Sequence, residues 1–334
     1  METYAKRISE ELRKYADVRT YALSTHDPGS VPGAGAIVLF GISTAFRIIF
    51  RRRGIDRILI GDLATWPIAL AARLRSPRSK VVIAAHGTDV SYARRPTWKG
   101  KLYGYYLRLA AIFFDRALVI ANSAATESRV IDAGFRRTRV IPLAADGNHS
   151  AATGKHGSNI LFAGRIIPLK GLSWFVTEVL PGVPENIGLD VAGQILDSRE
   201  AAVLTDPRVR HLQTLSQDDL KAAYANALAV VVPNISVPTN EFEGFGLVAT
   251  EAAASGGIVL AADLDGLKDA VIDGLTGFLL TAENAAIWID KIIEISNWPD
   301  SRRNEFIRAS VEACREWYSW NRVGRQTFDA LLGE

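Results

Sequence analysis

Short, nearly unbroken runs of β-branched and aliphatic residues recur along this chain, each followed by a longer amphipathic stretch. A run that is apolar at successive positions suits a strand buried on both faces, and such strands belong to parallel sheets covered by helices. The first half is expected to hold strands at 18–23, 36–40, 57–61, 80–86, 117–122 and 139–143, with helices at 2–15, 42–53, 66–75, 98–113 and 123–133. The second half repeats the pattern, with strands at 159–164, 187–193, 209–212, 228–233, 257–263 and 277–280. The polar, Gly-rich segment 144–158 between them reads as a linker. The expected fold class is therefore α/β: two doubly wound Rossmann-like domains facing a cleft, with ligands held at the carboxyl ends of the strands. A chain of 334 residues is long enough to give each its own core.

Composition narrows the function classes. One cysteine, Cys314, rules out an internal disulfide and a thiolate metal cluster. The five histidines are scattered, so no metal-ligand spacing stands out, and none is expected. Met1 opens a charged amphipathic stretch that does not read as a secretory signal. The most apolar stretch, 36–50, is interrupted by Arg47 and is expected to be a core strand followed by a helix rather than a membrane span. Residues 1–150 carry 24 Lys+Arg against 12 Asp+Glu, whereas residues 151–334 carry 15 against 24. A basic half and an acidic half point to two domains with different surface duties. In the basic half, "FRIIFRRR" reads as a membrane-surface helix or a plain solvated face, and not as a nucleic-acid patch.

Three loops carry candidate chemistry. In "NEFEGFGLVATEAAASGG" (240–257), Glu243 stands just ahead of an expected helix starting near Gly246, and Glu251 falls in its second turn. Unpaired amides from Gly244 through Phe245 and Gly246 to Leu247 suit a phosphate at the helix N-terminus. A carboxylate offers two oxygens to a diol, so acids on both sides of a phosphate outline a nucleotide sugar. The alternative makes Glu243 a capping acid and Glu251 an exposed helix residue. In "LFAGRIIPLKG" (161–171), Arg165 and Lys170 follow Gly164 at a strand end, where two fixed cations suit a diphosphate. In "AAHGTD" (84–89), His86 and Gly87 end a strand, and Asp89 either caps the next turn or touches a ligand.

Together these stretches resemble the family-4 retaining glycosyltransferases of the GT-B fold. The likeness rests on the E-x7-E segment "EGFGLVATE" (243–251), the "DG-x-TG" at Asp273 to Gly277, "GRIIPLKG", "HGTD" and a closing helix in "WYSWNRVGRQTFDALL". It implies domains at 1–147 (acceptor side) and 148–315 (nucleotide sugar), with 316–334 packing back toward the first. It implies that Arg165 and Lys170 neutralise the donor diphosphate, with Gly164 and the amides of Gly244, Phe245, Gly246 and Leu247 beside them. Glu243 would orient the transferred sugar, Glu251 would bind the ribose, and His86 would contact the donor sugar near the attacking hydroxyl. Gly87 and Asp89 are acceptor-side candidates. The family retains anomeric configuration without a metal or other cofactor, and its leaving phosphate helps deprotonate the acceptor. A UDP- or GDP-linked donor and a glycan or lipid-linked acceptor follow, in cell-surface polysaccharide or glycolipid synthesis. The place is the cytoplasm, with peripheral contact to an anionic inner membrane face left open.

One departure stands out. The family opens on a strand and a "GG" turn, whereas this chain opens on the helix that should follow them. The expectation is that Met1 is an internal methionine and that the ancestral start lies roughly one strand and one turn upstream, about 15–25 residues. Two other readings stay open: a nucleotide-sugar-binding pseudoenzyme or subunit, and a soluble sucrose- or trehalose-type synthase with a small acceptor.

Overall fold

The computed structural model describes residues 2–23, 34–50, 54–145 and 156–333. The chain divides into two units: Met1–Ile141 with Trp320–Glu334, and Pro142–Ser319.

The first unit is built on four parallel strands, β1 (Arg57–Ile60), β2 (Lys80–Ala85), β3 (Leu118–Ala121) and β4 (Thr138–Val140), side by side in that order. Its helices are α1 (Glu2–Leu12), α2 (Ala34–Ile49), α3 (Pro67–Arg75), α4 (Thr88–Ser91), α5 (Trp98–Phe113) and α6 (Ala124–Asp132). Side-chain caps start two of them: Thr97 accepts from the Gly100 amide at α5, and Ser123 from the Thr126 amide at α6. Each strand lies one place further along the sheet than the last. Right-handed crossovers therefore put α3, α5 and α6 on one face.

Two expectations fail here. Residues 36–40 are not a strand: they lie inside α2, a single 16-residue helix. An apolar run of five cannot be told from a helix segment by periodicity. Here the following stretch continues it without a break, and α2 packs against α3. Residues 18–23 form no strand either, because no described strand lies beyond β1 to hydrogen-bond with them. Arg51, Arg52 and Arg53, and most of the expected linker, lie outside the described residues.

The second unit carries six parallel strands, β5 (Ile160–Ala163), β6 (Leu189–Ala192), β7 (Val209–Gln213), β8 (Val230–Val232), β9 (Val259–Ala262) and β10 (Phe278–Leu280). Their order is β10-β9-β8-β5-β6-β7. Its helices are α7 (Leu172–Trp174), α8 (Gln217–Asn226), α9 (Leu247–Ala254), α10 (Leu267–Ala270), α11 (Ala285–Ser296) and α12 (Asp300–Trp317). Strands β5, β8 and β9 are buried at every residue, as their continuous apolar sequence requires. After β7 the chain returns across the sheet to lay β8 on the free side of β5, so the direction of winding switches between β5 and β8. Loops leaving the carboxyl ends of such neighbours splay apart and open a crevice, the usual ligand position in sheets of this kind.

The closing helix α13 (Trp320–Leu332) belongs to the first unit, where it packs on α1, β1 and β2. The Lys80 Nζ donates to the Leu332 carbonyl at 2.6 Å.

Candidate functional site

The winding switch of the second unit brings two of the sequence-predicted loops together. After β5, the chain runs through Gly164 and Arg165 into a tight turn, Pro168–Lys170. After β8 comes Asn234, followed by the loop that carries Glu243. Lys170 is buried, and its ammonium pairs with the Glu243 carboxylate. Asn234, also buried, donates from Nδ2 to the same carboxylate at 3.1 Å. Burial by itself would raise the Glu243 pKa. The Lys170 charge, hydrogen bonds from Lys170 and Asn234, and the Arg165 charge outweigh it and hold the carboxyl below its usual range. Glu243 therefore stays ionised and fixed, facing two cations.

A third loop, after β9, braces this arrangement. Asp265 Oδ2 accepts from the Glu243 amide at 3.3 Å, and the Gly266 amide donates to the Glu243 carbonyl at 3.0 Å. Helix α9 then begins at Leu247 without a side-chain cap. Its first amides point out of an uncapped N-terminus, where the helix dipole favours an anion. Phe245 is buried edge-on against Tyr318, with ring centroids 6.2 Å apart, which anchors the turn between Gly244 and Gly246. Glu251 does fall in the second turn of α9. That helix is rich in alanine and otherwise buried over most of its length, packed by α8 and α12. A half-buried carboxylate on such a helix needs a purpose, and its charge reaches Tyr224, whose phenol is pushed up by burial and then by Glu251.

In the first unit, His86 follows β2 directly. Its Nε2 lies 3.1 Å from the Gly61 carbonyl. A carbonyl only accepts, so Nε2 carries the hydrogen and Nδ1 is left as the acceptor nitrogen. The Tyr4 ring packs against the imidazole at 4.4 Å, edge to face. Asp89 is buried, with Oδ1 accepting from the His86 amide at 3.0 Å and Oδ2 from the Leu63 amide at 3.2 Å. Those bonds make Asp89 the clamp of the loop, while Gly87 starts the short helix α4. Asn122, after β3, donates to the His86 carbonyl at 3.3 Å, and its own Oδ1 is buried without a hydrogen-bond partner among the described residues. Asp62, after β1, accepts from the Ala64 amide at 2.7 Å.

This cluster titrates in opposing directions. Burial, and then the neighbouring Asp89 charge, raise Asp62 from 3.8 to about 6. Burial lowers His86 from 6.5 to about 4, against the pull of Asp62. Asp62 stabilises the fold below its ordinary pKa and loses that contribution as pH rises through about 6. His86 stabilises it above 6.5 and loses that contribution as pH falls through about 4. The two offset each other between pH 4 and 6. Asp62→Asn is therefore expected to lose more stability than the wild type between pH 7 and pH 4, by on the order of 2 kcal/mol. Urea unfolding across that range checks this; superimposable pH profiles would refute it.

Asp62, Asn122, Asn234 and Asp265 were not singled out from sequence. Each follows a strand end, the one signal that pointed to them, but short polar residues after strands are too common to stand out. Among the described residues, no group of three or more His, Cys, Asp or Glu is arranged to hold a metal ion.

Residues 1–144 match the family model described as "Glycosyl transferase 4-like domain", and residues 157–297 match "Glycosyl transferases group 1". Among curated proteins, the D-inositol 3-phosphate glycosyltransferase of Salinispora tropica is 29% identical over 233 residues, 63% of this chain and 46% of that protein. The protein of the same name from Mycolicibacterium smegmatis is 35% identical over 182 residues, 52% of this chain and 38% of that protein. The chain thus spans about half the length of the curated relatives it matches. Among solved structures, Anabaena HepE in complex with UDP and glucose gives a TM-score of 0.69 at 19% identity, covering 91% of this chain and 84% of that one. Sucrose-phosphate synthase from Thermosynechococcus elongatus gives 0.72 at 17%, covering 98% and 91%. The fold class is α/β with two Rossmann-like domains, GT-B.

Proposed function

Because the chain carries a glycosyl transferase 4-like first half and a group 1 glycosyl transferase second half, we propose that it transfers a hexose from a UDP- or GDP-linked sugar to a hydroxyl acceptor, with retention of configuration and without a metal, as a family-4 enzyme. The observation that carries this is the Lys170–Glu243 pair, with Arg165 beside it, at the winding switch between β5 and β8. Arg165 and Lys170 take up the negative charge of the diphosphate as the bond to the sugar breaks, and such fixed electrostatic groups supply the largest share of stabilisation in transfers of this type. The amides at Gly244 to Leu247 share the phosphate. Glu243, held ionised, accepts from the sugar hydroxyls, and Glu251 from the ribose diol. His86, kept neutral with Nδ1 as acceptor, offers a hydrogen-bond site to a sugar or acceptor hydroxyl.

The acceptor is a glycan or a lipid-linked molecule, met in the cytoplasm at the inner face of a membrane. The basic first half supports an anionic acceptor or surface. A small phosphorylated polyol is the second reading, favoured by the name shared by the curated relatives. A panel of UDP-, GDP- and ADP-sugars, screened by thermal shift and then by nucleotide release, tests the proposal. Stabilisation by one nucleotide class, with release lost in Glu243→Gln, is the expected result. Binding without release in any combination of donor and acceptor would make the chain a nucleotide-sugar-binding protein, and absence of binding would remove the proposal altogether.

A further inference from the structure

Three helices of the first unit, α2, α3 and α5, present exposed apolar side chains and carry no carboxylate of their own. Helix α2 packs against α3. The Trp66 ring at the start of α3 stacks on Phe113 of α5 at 5.8 Å, and Arg73 of α3 donates to the Phe113 carbonyl at 3.1 Å. The opposite face of the sheet is taken by α13, which also packs on α1.

On α5 the outward side chains Trp98, Leu102, Tyr105, Leu109 and Ile112 fall at alternating steps of four and three, which makes one continuous stripe along the helix. Trp98 and Ile112, at its two ends, are each 70% exposed. On α2, Val38, Leu39, Ile42 and Phe46 are exposed in the same way, and Leu74 of α3 lies exposed in the same layer. Single exposed apolar residues need no explanation, but a whole stripe along α5, with further exposed apolar residues on the adjoining α3 and α2, marks a contact surface. None of the three helices contains an aspartate or glutamate, while α5 alone carries Lys99, Lys101 and Arg108 along its exposed side.

We propose that this layer docks on an anionic lipid surface, with α5 lying in the plane of the interface. Charge decides the occupant. A second copy of the chain would set the cations of two α5 helices against each other with no acid on either helix to offset them, whereas anionic headgroups neutralise them. A nucleic acid would use the cations but leave the aliphatic stripe in water. On a bilayer the stripe enters the acyl boundary, the lysine stems snorkel to the headgroups, and Trp98 and Tyr105 sit at the interfacial depth that amphipathic rings prefer. Lys99 lies over the Trp98 ring at 5.7 Å and Arg108 over the Tyr105 ring at 5.9 Å, so the cations already sit at the edge of the stripe. No helix among the described residues is long and apolar enough to cross a membrane, so the contact is one of surface. This deepens the reading above by naming the surface on which its acceptor is met, and rests on that reading for that link alone.

Flotation with vesicles of phosphatidylcholine, alone or mixed with phosphatidylglycerol, tests it. The chain is expected to float with the mixed vesicles and to be released by high salt. Lys99→Glu combined with Lys101→Glu should weaken binding at least about thirtyfold, from roughly 1 kcal/mol for each basic residue near an anionic surface. Leu102→Glu combined with Leu109→Glu should abolish it. All four positions are exposed, and circular dichroism confirms that each variant is folded. The proposal fails if the wild type stays in solution, if both double variants float as the wild type does, or if sedimentation shows a dimer that the leucine variant splits. Donor-induced thermal stabilisation is measured on the same samples. Donor binding without flotation overturns the membrane inference only; flotation without donor binding overturns the transferase reading only.

Discussion

Replacing Lys170 by alanine is expected to remove most of the proposed transfer activity and to destabilise the second unit at the same time. Its side chain is 10% exposed and that of Glu243 16%, so the variant strands an ionised carboxylate in a buried site. Breaking a buried pair from one side costs about 3–5 kcal/mol. In the proposed role of Lys170, loss of a charge-stabilising group facing the leaving phosphate lowers the rate by about a hundred- to a thousandfold. The two effects separate in a double variant. Lys170→Ala with Glu243→Gln removes the uncompensated charge, so it should recover most of the stability and none of the activity. The acid limb gives a further check. Because Glu243 is held below its usual range, its stabilising contribution is present above that range and is lost as pH falls through the depressed value. In Lys170→Ala that acid limb should shrink. Equal stabilities for the single and the double variant, in urea unfolding at neutral pH, would show that the pair is not coupled.

Gly171→Ala should be nearly as damaging, by a different route. Gly171 sits at φ +68°, and an added Cβ would lie 2.0 Å from the Pro233 carbonyl oxygen and 3.1 Å from Ile235 Cγ2. The neighbour that must yield is backbone, at the start of the loop bearing Asn234 and Glu243. Pushing it away draws the carboxylate off Lys170, the residue immediately before. A loss of about 3 kcal/mol, or roughly 6–12 °C in melting temperature, is expected, with donor binding weakened more than about tenfold. Gly274→Ala provides the contrast. Gly274 has φ +74° but no atom within 4 Å of the added Cβ, so only the backbone strain of about 1 kcal/mol applies. Calorimetry on the two variants decides the matter: equal losses would mean that close approach at Gly171 contributes nothing.

The loop chemistry was legible in sequence to an uneven degree. Glu243, Glu251, Arg165, Lys170 and His86 were singled out by their places at strand ends or at a helix start, but position alone left their roles open, and the reading of each as a donor-site residue came from the family resemblance. Asn234 was not singled out, although it shares the Glu243 carboxylate with Lys170. Nothing local distinguishes it from any polar residue after a strand; its role comes from burial, which is a property of the packed loops. Asp89 read equally as a cap or a ligand group, and its two backbone hydrogen bonds identify it as the clamp of the His86 loop.

By itself the sequence determined that the chain is a serial α/β protein with two cores, and it located most strands and the helix that starts after Gly246. These are local properties, written in the period and length of apolar runs, and burial enforces them wherever the run ends up. Residues 36–40 escaped that logic because a five-residue apolar run has the same signature in a buried strand and in a helix. Residues 18–23 escaped it because a strand exists only when another strand meets its amides. The tertiary structure alone decided that Lys170 and Glu243, 73 residues apart, share one ion pair. It also decided that the outer faces of α2 and α5 stay uncovered. Both depend on the order in which strands lie in the sheet, and that order is set by the sum of long-range contacts, which no stretch of sequence carries within itself.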